Sequence, residues 1–571
     1  MLKNIFITIL LICSVSGVWG QKSVKVKVSG NVITTDGVPA EFINIQLKNT
    51  FYGGTSDGKG YFEFMAPAGQ YTMIVQSIAA HRREFPVTIE EGKENHFADI
   101  EIRENINQLE QVVVTGQFSP QSMRNSLYRV RTVNSEQIRQ KAPTSVQSLL
   151  NTEIGIRLSN DMALGETDFE LMGMSGNNVK ILLDGIPLID RGATKQSLSQ
   201  LDVNSIERVE IVEGPMSVVY GTDALAGVIN IITKKGDGYS EENTWRVGAR
   251  VQEESMGKEY DFFKDKGLHN ESIDLGFNHK SGLFVNGGYT RNNHGGWQGD
   301  LTGREKRWHP KDQALMNGMF GFQNRNMNVW YRLDFLDEKI FGPNNGSELQ
   351  PEKVSDKDFL TKRYTHQLQS DWKLDNRLDV HAALSYQDYK RRTRTTESDL
   401  STGEKWLSSA EASQDITQYK AWIARATVAW NIAPEFSVQP GVEYQWTQGE
   451  GGRIDGTPKV SDLAFFLSAE YKPWEWLSLR PGVRTFIVAD YDAPIAIPSV
   501  LTKFKLTKHM DLRLSYAYGF RSPTLQELYF SFHNDNHDID GNPDLKAEYS
   551  HNITGSVAYR VLHSEKIHLT T

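Results

Sequence analysis

Two histidines, His533 and His537, stand four residues apart in the stretch GFRSPTLQELYFSFHNDNHDIDGNPDLKAEYS at 519–550, and imidazole is a natural axial ligand for haem iron. Around them Asn536, Asp538, Asp540 and Gly541 follow the order of a calcium loop. The closing Glu548 falls one residue late for the twelve-residue register, which argues against calcium. The basic run KRRTR at 390–394 supplies Arg391, Arg392 and Arg394, whose guanidiniums would attract an anionic ligand. Gly214, Pro215 and Gly221 suggest a phosphate loop, but no Lys-Ser/Thr pair follows them, and Gly173 and Gly176 in MGMSGNN carry no better nucleotide signature. No nucleophile–base pair and no zinc-ligand set accompanies these residues, so no catalytic residue is assigned. Plainer readings stand beside these: loop histidines in structural or solvent roles, and arginines as solvated rim or lumen charge.

The elements that must hold these residues are spread over 571 residues, too long for one ordinary domain. With 62 basic against 71 acidic residues the net charge is -9, and the pI is near 5.9. A basic footprint for nucleic acid is absent. The N-terminus MLKNIFITILLICSVSGVWGQ has Lys3, a short apolar run and a small-residue exit at Val18 and Gly20, the layout of a secretory signal over 1–20. The run is too short for a membrane-spanning helix, which needs about 20 apolar residues. The single cysteine, Cys13, lies inside that signal, so the exported chain is expected to carry no disulfide. A mean hydropathy of -0.46 suits a soluble protein and equally a transmembrane β-barrel, whose strands alternate lipid-facing and polar residues.

From 21 to 103 short strands alternate with turns: VKVKVSGNVI and FINIQLKN, then TTDGVPA and TSDGKG, then YFEFMAPAGQYTMIVQ as two strands around Pro67 and Gly69. A small β-sandwich is predicted. The order of Gly30, Asp36, Gly37, Pro39, Asp57, Gly58, Gly60, Phe62, Pro67, Gly69 and Tyr71 resembles carboxypeptidase regulatory-like domains found ahead of some outer-membrane receptors. Next, LEQVVVTGQ at 109–117 is a β-prone run between polar flanks. It reads as the sandwich's last strand, or as an extended segment able to add to a partner's sheet edge. It resembles a TonB box, carried by Glu110, Gln111, Val112, Val113, Val114, Thr115 and Gly116.

Between 117 and 236 the periods mix. Thr144 and Gln147 make a capping box ahead of VQSLL, and VKILLDGIPL and VEIVEGP are strands ending in turns at Asp184-Gly185 and Gly214-Pro215. This α+β unit closely resembles the plug domain of TonB-dependent outer-membrane transporters, through VKILLDGIPL and IERVEIVEGPMSVVYGTDALAGVINIITKK. The motif residues are Asp184, Gly185, Gly214, Pro215, Tyr220, Gly221 and Asn230. A plug is a stopper, so its lack of chemistry is expected.

From 237 to 571 a period of two dominates, as in Leu378, Val380, Ala382, Leu384, Tyr386. Short turns near Ser281, Arg325, Asn376, Pro434, Trp474 and Lys508 alternate with long polar connections such as TRNNHGGWQGDLTGREKRWHPKDQ, the asymmetry of an outer-membrane barrel with short periplasmic turns. Counting from WRVGARVQ through those turns gives about 14 strands by HNITGSVAYR. Plugged transporters have 22, and KIHLTT lacks the aromatic end usual for the family. The fold predicted is therefore mainly β: sandwich, α+β plug, and a 22-stranded type of antiparallel barrel whose C-terminal part is missing.

The resemblance implies a non-enzymatic receptor in the outer membrane, with the sandwich and box in the periplasm. Its partners would be TonB with its inner-membrane energy-transducing complex, outer-membrane lipid, and an extracellular small molecule, and no cofactor would be required. The expected cargo is an iron complex, haem or ferric siderophore, with cobalamin import or a non-transporting surface receptor or signalling protein as alternatives. FRSP at 520–523 and NPDL at 542–545 resemble the two boxes of haem receptors that bracket a haem-binding histidine, here His533 or His537. Haem receptors usually take a second ligand from the plug, and no histidine occurs from 118 to 236.

Overall fold

The computed structural model describes residues 25–570 with interruptions, the longer ones at 35–38, 103–111, 162–165, 190–195, 237–241 and 561–567. The signal reading therefore lies outside the described residues, as do Glu110 and Gln111. The chain divides into two compact units, 1–112 and 113–571.

The first unit is the predicted sandwich. One sheet has the order Tyr61–Pro67, Lys25–Thr34, Asn95–Ile102, and the other Gly53–Thr55, Asn44–Leu47, Gly69–Ser77, Ala80–Ile89. Alternation sends Val28, Val32, Ile45, Leu47, Phe62, Met73 and Val75 into the space between them. Gly30 is needed there for space, since a Cβ would lie 2.7 Å from the Phe62 ring and 2.3 Å from the Phe97 carbonyl oxygen.

The second unit begins with the plug. Its main sheet runs Arg129–Asn134, Ile206–Glu213, Gly227–Thr233, Val179–Leu183, Ile186–Pro187. Gly227–Thr233 and Val179–Leu183 are parallel and wholly buried, which explains why they lack an apolar/polar alternation and carry only Lys180, Asn230 and Thr233 as polar residues, since strands covered on both faces have no solvent side to mark. The helices Ser135–Lys141 and Val146–Leu150 contribute Ile138, Val146, Leu149 and Leu150 to the core. The capping box is one residue later than expected. Ser145 is the N-cap, its hydroxyl accepting from Ser148 N–H at 3.1 Å while the Ser148 hydroxyl accepts from Ser145 N–H at 3.1 Å, a closure that Thr144 and Gln147 do not make.

The remaining chain is an antiparallel meander within one 16-stranded sheet. With the short strand Lys405–Leu407 off the path, Glu548–Arg560 is the fourteenth strand from Thr244–Glu254, as the turn spacing predicted, and His568–Thr570 pairs beyond it. Among the described residues the first and last strands do not pair with each other. Among the described residues no helix is long and apolar enough to cross a membrane, which says nothing about strands.

The two faces of this sheet differ. The inner face carries buried polar groups, among them Arg363, Gln367, Gln369, Gln387, Arg425, Glu443, Arg480 and Arg484. The outer face exposes Leu368, Leu384, Phe465, Leu467 and Val483, bounded toward the long connections by Tyr364 and Trp422 and toward the short turns by Trp372, Trp430, Trp474 and Trp476. Trp422 and Trp430 share one face of Ile416–Ala433 eight residues apart, about 26 Å along a strand. With a barrel tilt of roughly 40° that is about 20 Å of height, close to a lipid-facing band flanked by aromatic girdles.

Candidate functional site

The plug motif residues converge on one place. Asp184 (φ 50°) and Gly185 (φ 85°) form the two-residue turn that joins Leu183 to Ile186, and positive φ at both positions matches the twist of a tight hairpin. Asp184 then accepts from Thr233, at 3.0 Å from N–H and 2.7 Å from the hydroxyl, and Gly185 N–H donates to Asn230 Oδ1 at 2.9 Å. The amide of Asn230 is thereby aimed at the Thr115 hydroxyl, 2.9 Å away.

Glu210, the cross-strand neighbour of Asn230, is fully buried beside it. Its carboxylate accepts from Val114 N–H at 3.1 Å, Thr115 N–H at 2.8 Å, the Thr115 hydroxyl at 2.6 Å and Arg208 Nε at 2.9 Å. Bonds to a buried charge are stronger than neutral ones. Val113 is buried against Leu127, Tyr128, Val130 and Val212. Gly116 donates its N–H to the Tyr220 hydroxyl at 3.2 Å, and its carbonyl accepts from Arg480 of the sheet at 2.5 Å. The box residues 113–116 are therefore docked, and the main-chain donors of Val114 and Thr115 are already engaged. Val113 belongs to a short strand that pairs with Gln121–Ser122 in a two-stranded sheet. Sequence reading passed over Glu210, because a lone Glu in the alternating run IERVEIV looks like a solvent-facing position.

Gly214 (φ 96°) and buried Pro215 end the strand Ile206–Glu213, and the one-turn helix Ser217–Tyr220 follows, closed by Gly221 (φ 73°). A Cβ on Gly221 would stand 3.0 Å from Arg484 Nη2. Burial pushes the Tyr220 hydroxyl up to about 12, so it remains a neutral phenol beside Gly116. Arg425 lies 5.1 Å from the Tyr220 ring and donates to the Val219 carbonyl at 2.7 Å and to Glu443 at 2.6 Å, and Arg484 donates to the same carboxylate at 2.8 Å. The last residue of this short helix, Tyr220, thus touches both Gly116 and the wall charges.

Just past its C-terminus lies a cavity of about 180 Å³ lined by Lys180, Asp223, Asp462, Tyr491, Thr524 and Gln526 with apolar Ile189, Ile423 and Leu525. Burial pulls the Lys180 ammonium downward against the opposing pull of Asp223, Glu443 and Asp462, and Nζ donates to the Thr222 carbonyl at 3.0 Å. FRSP builds this cavity's edge: the Ser522 N–H donates to the Thr222 hydroxyl at 2.7 Å, the Phe520 carbonyl accepts from Asp223 N–H at 3.2 Å, and Arg521 bonds Glu527 and Glu548.

The histidine loop is a hairpin, Ser531–Asn534 against His537–Asp540. His533 places Nδ1 2.6 Å from Asp538 and Nε2 3.0 Å from Asp540, so both ring nitrogens are engaged and the charged form is favoured, first by Asp538 and then by Asp540. Iron ligation would require one of these contacts to open. Asp538 and Asp540 are drawn to His533 and Glu548 to Arg521, so these carboxylates do not converge as a calcium cage. Asn536 lies outside the described residues, and no group of three His, Cys, Asp or Glu side chains able to hold a metal occurs among the described ones.

The basic run is split by the strand that carries it. Gln387 bonds the plug at Ile189 N–H and the Pro187 carbonyl, which fixes odd positions of Leu378–Asp399 inward and even positions outward. Arg391 is accordingly buried, 4.6 Å from the Phe359 ring. Arg392 and Arg394 point to the outer face, where Arg394 pairs with Asp358, and they are removed from any ligand set inside the barrel.

Comparison with known proteins accords with this geometry. The TonB-dependent Receptor Plug Domain family matches residues 122–228, the TonB dependent receptor-like, beta-barrel family matches 220–565, and the CarboxypepD_reg-like domain matches 28–114. The chain belongs to the TonB-dependent receptors, a family of outer-membrane barrels that are receptors and transporters and not enzymes. It is 25% identical over 482 residues to the iron-regulated outer membrane virulence protein of Vibrio cholerae, covering 79% of this chain and 66% of that one. It is 32% identical over 139 residues to the vitamin B12 transporter of Vibrio vulnificus, 24% of this chain and 23% of that one. The chain thus spans less than two thirds of either relative's length. A ferric enterobactin receptor structure from Pseudomonas aeruginosa superposes with a TM-score of 0.56 at 17% identity, over 76% of this chain and 69% of that one, a likeness of fold.

Proposed function

We propose that this protein imports an iron complex across the outer membrane, using energy delivered at residues 110–116 by TonB and its inner-membrane complex. The observation that carries the reading is the docking of 113–116 on Glu210, Asn230 and Tyr220 inside a plug that the sheet's inner face holds in place. A β-prone segment held by side chains through its main-chain donors is able to leave that site and pair with a partner strand. The two uses exclude each other, because the Val114 and Thr115 N–H groups bond either Glu210 or the partner. Tyr220 touches Gly116 and is followed within three residues by Thr222 and Asp223 at the cavity, so a ligand reaching the cavity would act on the docked segment through Tyr220. In this reading the long connections face outward and the sandwich and box lie in the periplasm.

The cargo proposed is a ferric siderophore in preference to haem, because His533 has both nitrogens engaged and the plug segment 118–236 has no histidine. The relatives of known name include an iron-regulated protein, which supports iron, and a vitamin B12 transporter, which keeps cobalamin as the second reading. Deleting 110–116 in cells should abolish uptake of radiolabelled ferric siderophore while surface binding persists. Loss of binding as well would overturn the assignment of the box. A hemin absorbance titration beside a His533→Ala, His537→Ala variant separates the cargo readings: a saturable Soret shift lost in the variant would establish haem and remove the siderophore proposal.

A further inference from the structure

The outward half of KRRTR is not absorbed by import, and its surroundings describe a second site. Lys390 and Arg392 stand exposed on the outer face of Leu378–Asp399, with Lys362 directly opposite Lys390 on the neighbouring strand Lys353–Lys373. Lys339, one strand further, and Arg394 both reach Asp358, and Lys362 reaches Asp337 at 3.7 Å. Of the carboxylates on this face, Asp358 and Asp337 are shared by three of the five cations and Asp388 accepts from Gln418 at 2.7 Å, and among the described residues neither Lys390 nor Arg392 has an acid partner. Like charges placed opposite one another on a sheet face repel, so Lys390, set against Lys362 and beside Arg392, is left with an unmet need for an anion.

Position supplies the second observation. On the same face, two residues further toward the short turns, Tyr364 stands opposite Asp388, and His366 opposite Tyr386 comes next, with Trp422 beside Tyr386. Leu368 opposite Leu384 follows, exposed. The cation cluster therefore sits immediately above the aromatic girdle, at headgroup height, with apolar surface directly beneath it for acyl chains. A soluble anion would find only an open surface, whereas a lipid reaches both parts at once.

We infer that Lys362, Lys390 and Arg392 bind the phosphate of an outer-leaflet lipid headgroup, whose chains lie on Tyr386, Leu368 and Leu384. The inference rests on the proposed orientation, with the long connections outside. Arg392 supplies a planar fork suited to two phosphate oxygens, and the lysines act as point charges.

The test is a binding titration of the full chain, purified in uncharged detergent, with three probes: diphosphoryl lipid A, the same lipid stripped of phosphate, and inorganic phosphate. Each cation near an anionic headgroup contributes roughly fivefold in affinity. Lys390→Gln with Arg392→Gln should therefore weaken the phosphorylated lipid roughly 25-fold, leave the stripped lipid unchanged, and leave near-ultraviolet circular dichroism intact. Lys373→Gln, at the short-turn end of the neighbouring strand, should leave all three probes unchanged. Equal affinity of the double variant for the phosphorylated lipid would overturn the site, and so would inorganic phosphate binding as tightly as the lipid. The titration needs neither import nor a partner, so failure of the lipid site and failure of the import reading are separately visible. If the lipid binds as expected but surface labelling places Lys390 in the periplasm, the outer-leaflet assignment falls.

Discussion

At the scale of residues, Glu210 and His533 make the sharpest commitments. Removing the Glu210 carboxylate leaves the main-chain donors of Val114 and Thr115 buried without an acceptor, and bonds to a charged group contribute about 1.5–3 kcal/mol each. Glu210→Ala is expected to open the docked segment about 10- to 100-fold more often. The change is readable as faster thiol labelling of a Val113→Cys probe in a chain whose single native cysteine is Cys13. An unchanged rate would remove Glu210 from the docking account. For His533, the acids at 538 and 540 raise its pKa above the usual value. The contribution of these pairs to the hairpin is therefore full below the unfolded value of about 6.5 and disappears as pH rises through the higher folded value. Asp538→Asn should lower the His533 pKa in a histidine-selective NMR titration, and a pKa that stays put would show that Asp538 is not its main partner. Neither side chain announced its role. A Glu in an alternating strand reads as solvated until its partners across the sheet are known, and adjacent arginines read as one cluster until the strand's alternation divides them.

At the scale of elements, turns were legible and their exact closures were not. The spacing of Gly, Pro and Asn punctuation located the barrel's short turns well enough to number Glu548–Arg560 correctly, because a meander in lipid must return at every crossing. The cap of Val146–Leu150 was placed one residue early, since Thr144 and Ser145 are chemically alike and only the backbone decides which hydroxyl meets the third helical N–H. The helix Ser135–Lys141 was passed over although Asn134 and Gln137 form a capping box. The Asp184-Gly185 turn offers a direct test. Gly185→Val forces a β-branched residue to φ 85°, at a cost of about 1–2 kcal/mol. It should raise protease sensitivity across 179–233 while the sheet of the barrel persists. Equal sensitivity would mean that the turn does not control plug stability. Val113→Pro should abolish ligand uptake while surface binding remains, because strand addition needs that donor. Normal uptake would show that pairing at 113 is dispensable.

At the scale of the whole molecule, the wall holds the plug in part through side chains that donate to plug main-chain carbonyls: Gln367 to Leu183, Gln369 to Asp184, Gln387 to Pro187, Gln313 to Ser199, Arg363 to Ile189, Arg425 to Val219 and Arg480 to Gly116. Replacing Gln367, Gln369 and Gln387 together by Leu removes three donors to plug carbonyls, each bond contributing about 0.5–1.5 kcal/mol. The variant should lower the urea midpoint of the plug without loss of strand content by circular dichroism; an unchanged midpoint would assign plug retention to other contacts. The architecture itself was readable in advance because two independent patterns, plug wording and barrel period, agreed. These plug–wall contacts were not, because residues 114 to 364 apart in sequence meet only once the sheet curls round its filling.

Where it is made of these carbonyl contacts, and not of apolar seats such as Ile186 with Ala383 and Ile423, the surface has the properties of a bearing. Carbonyls present the same group whatever side chain follows them, so the wall can exchange one for its neighbour, or for a water molecule, with little net change in energy. The stopper is held fast at rest and yet able to slip by small steps under load, where a dry, interlocked apolar seat would have to tear.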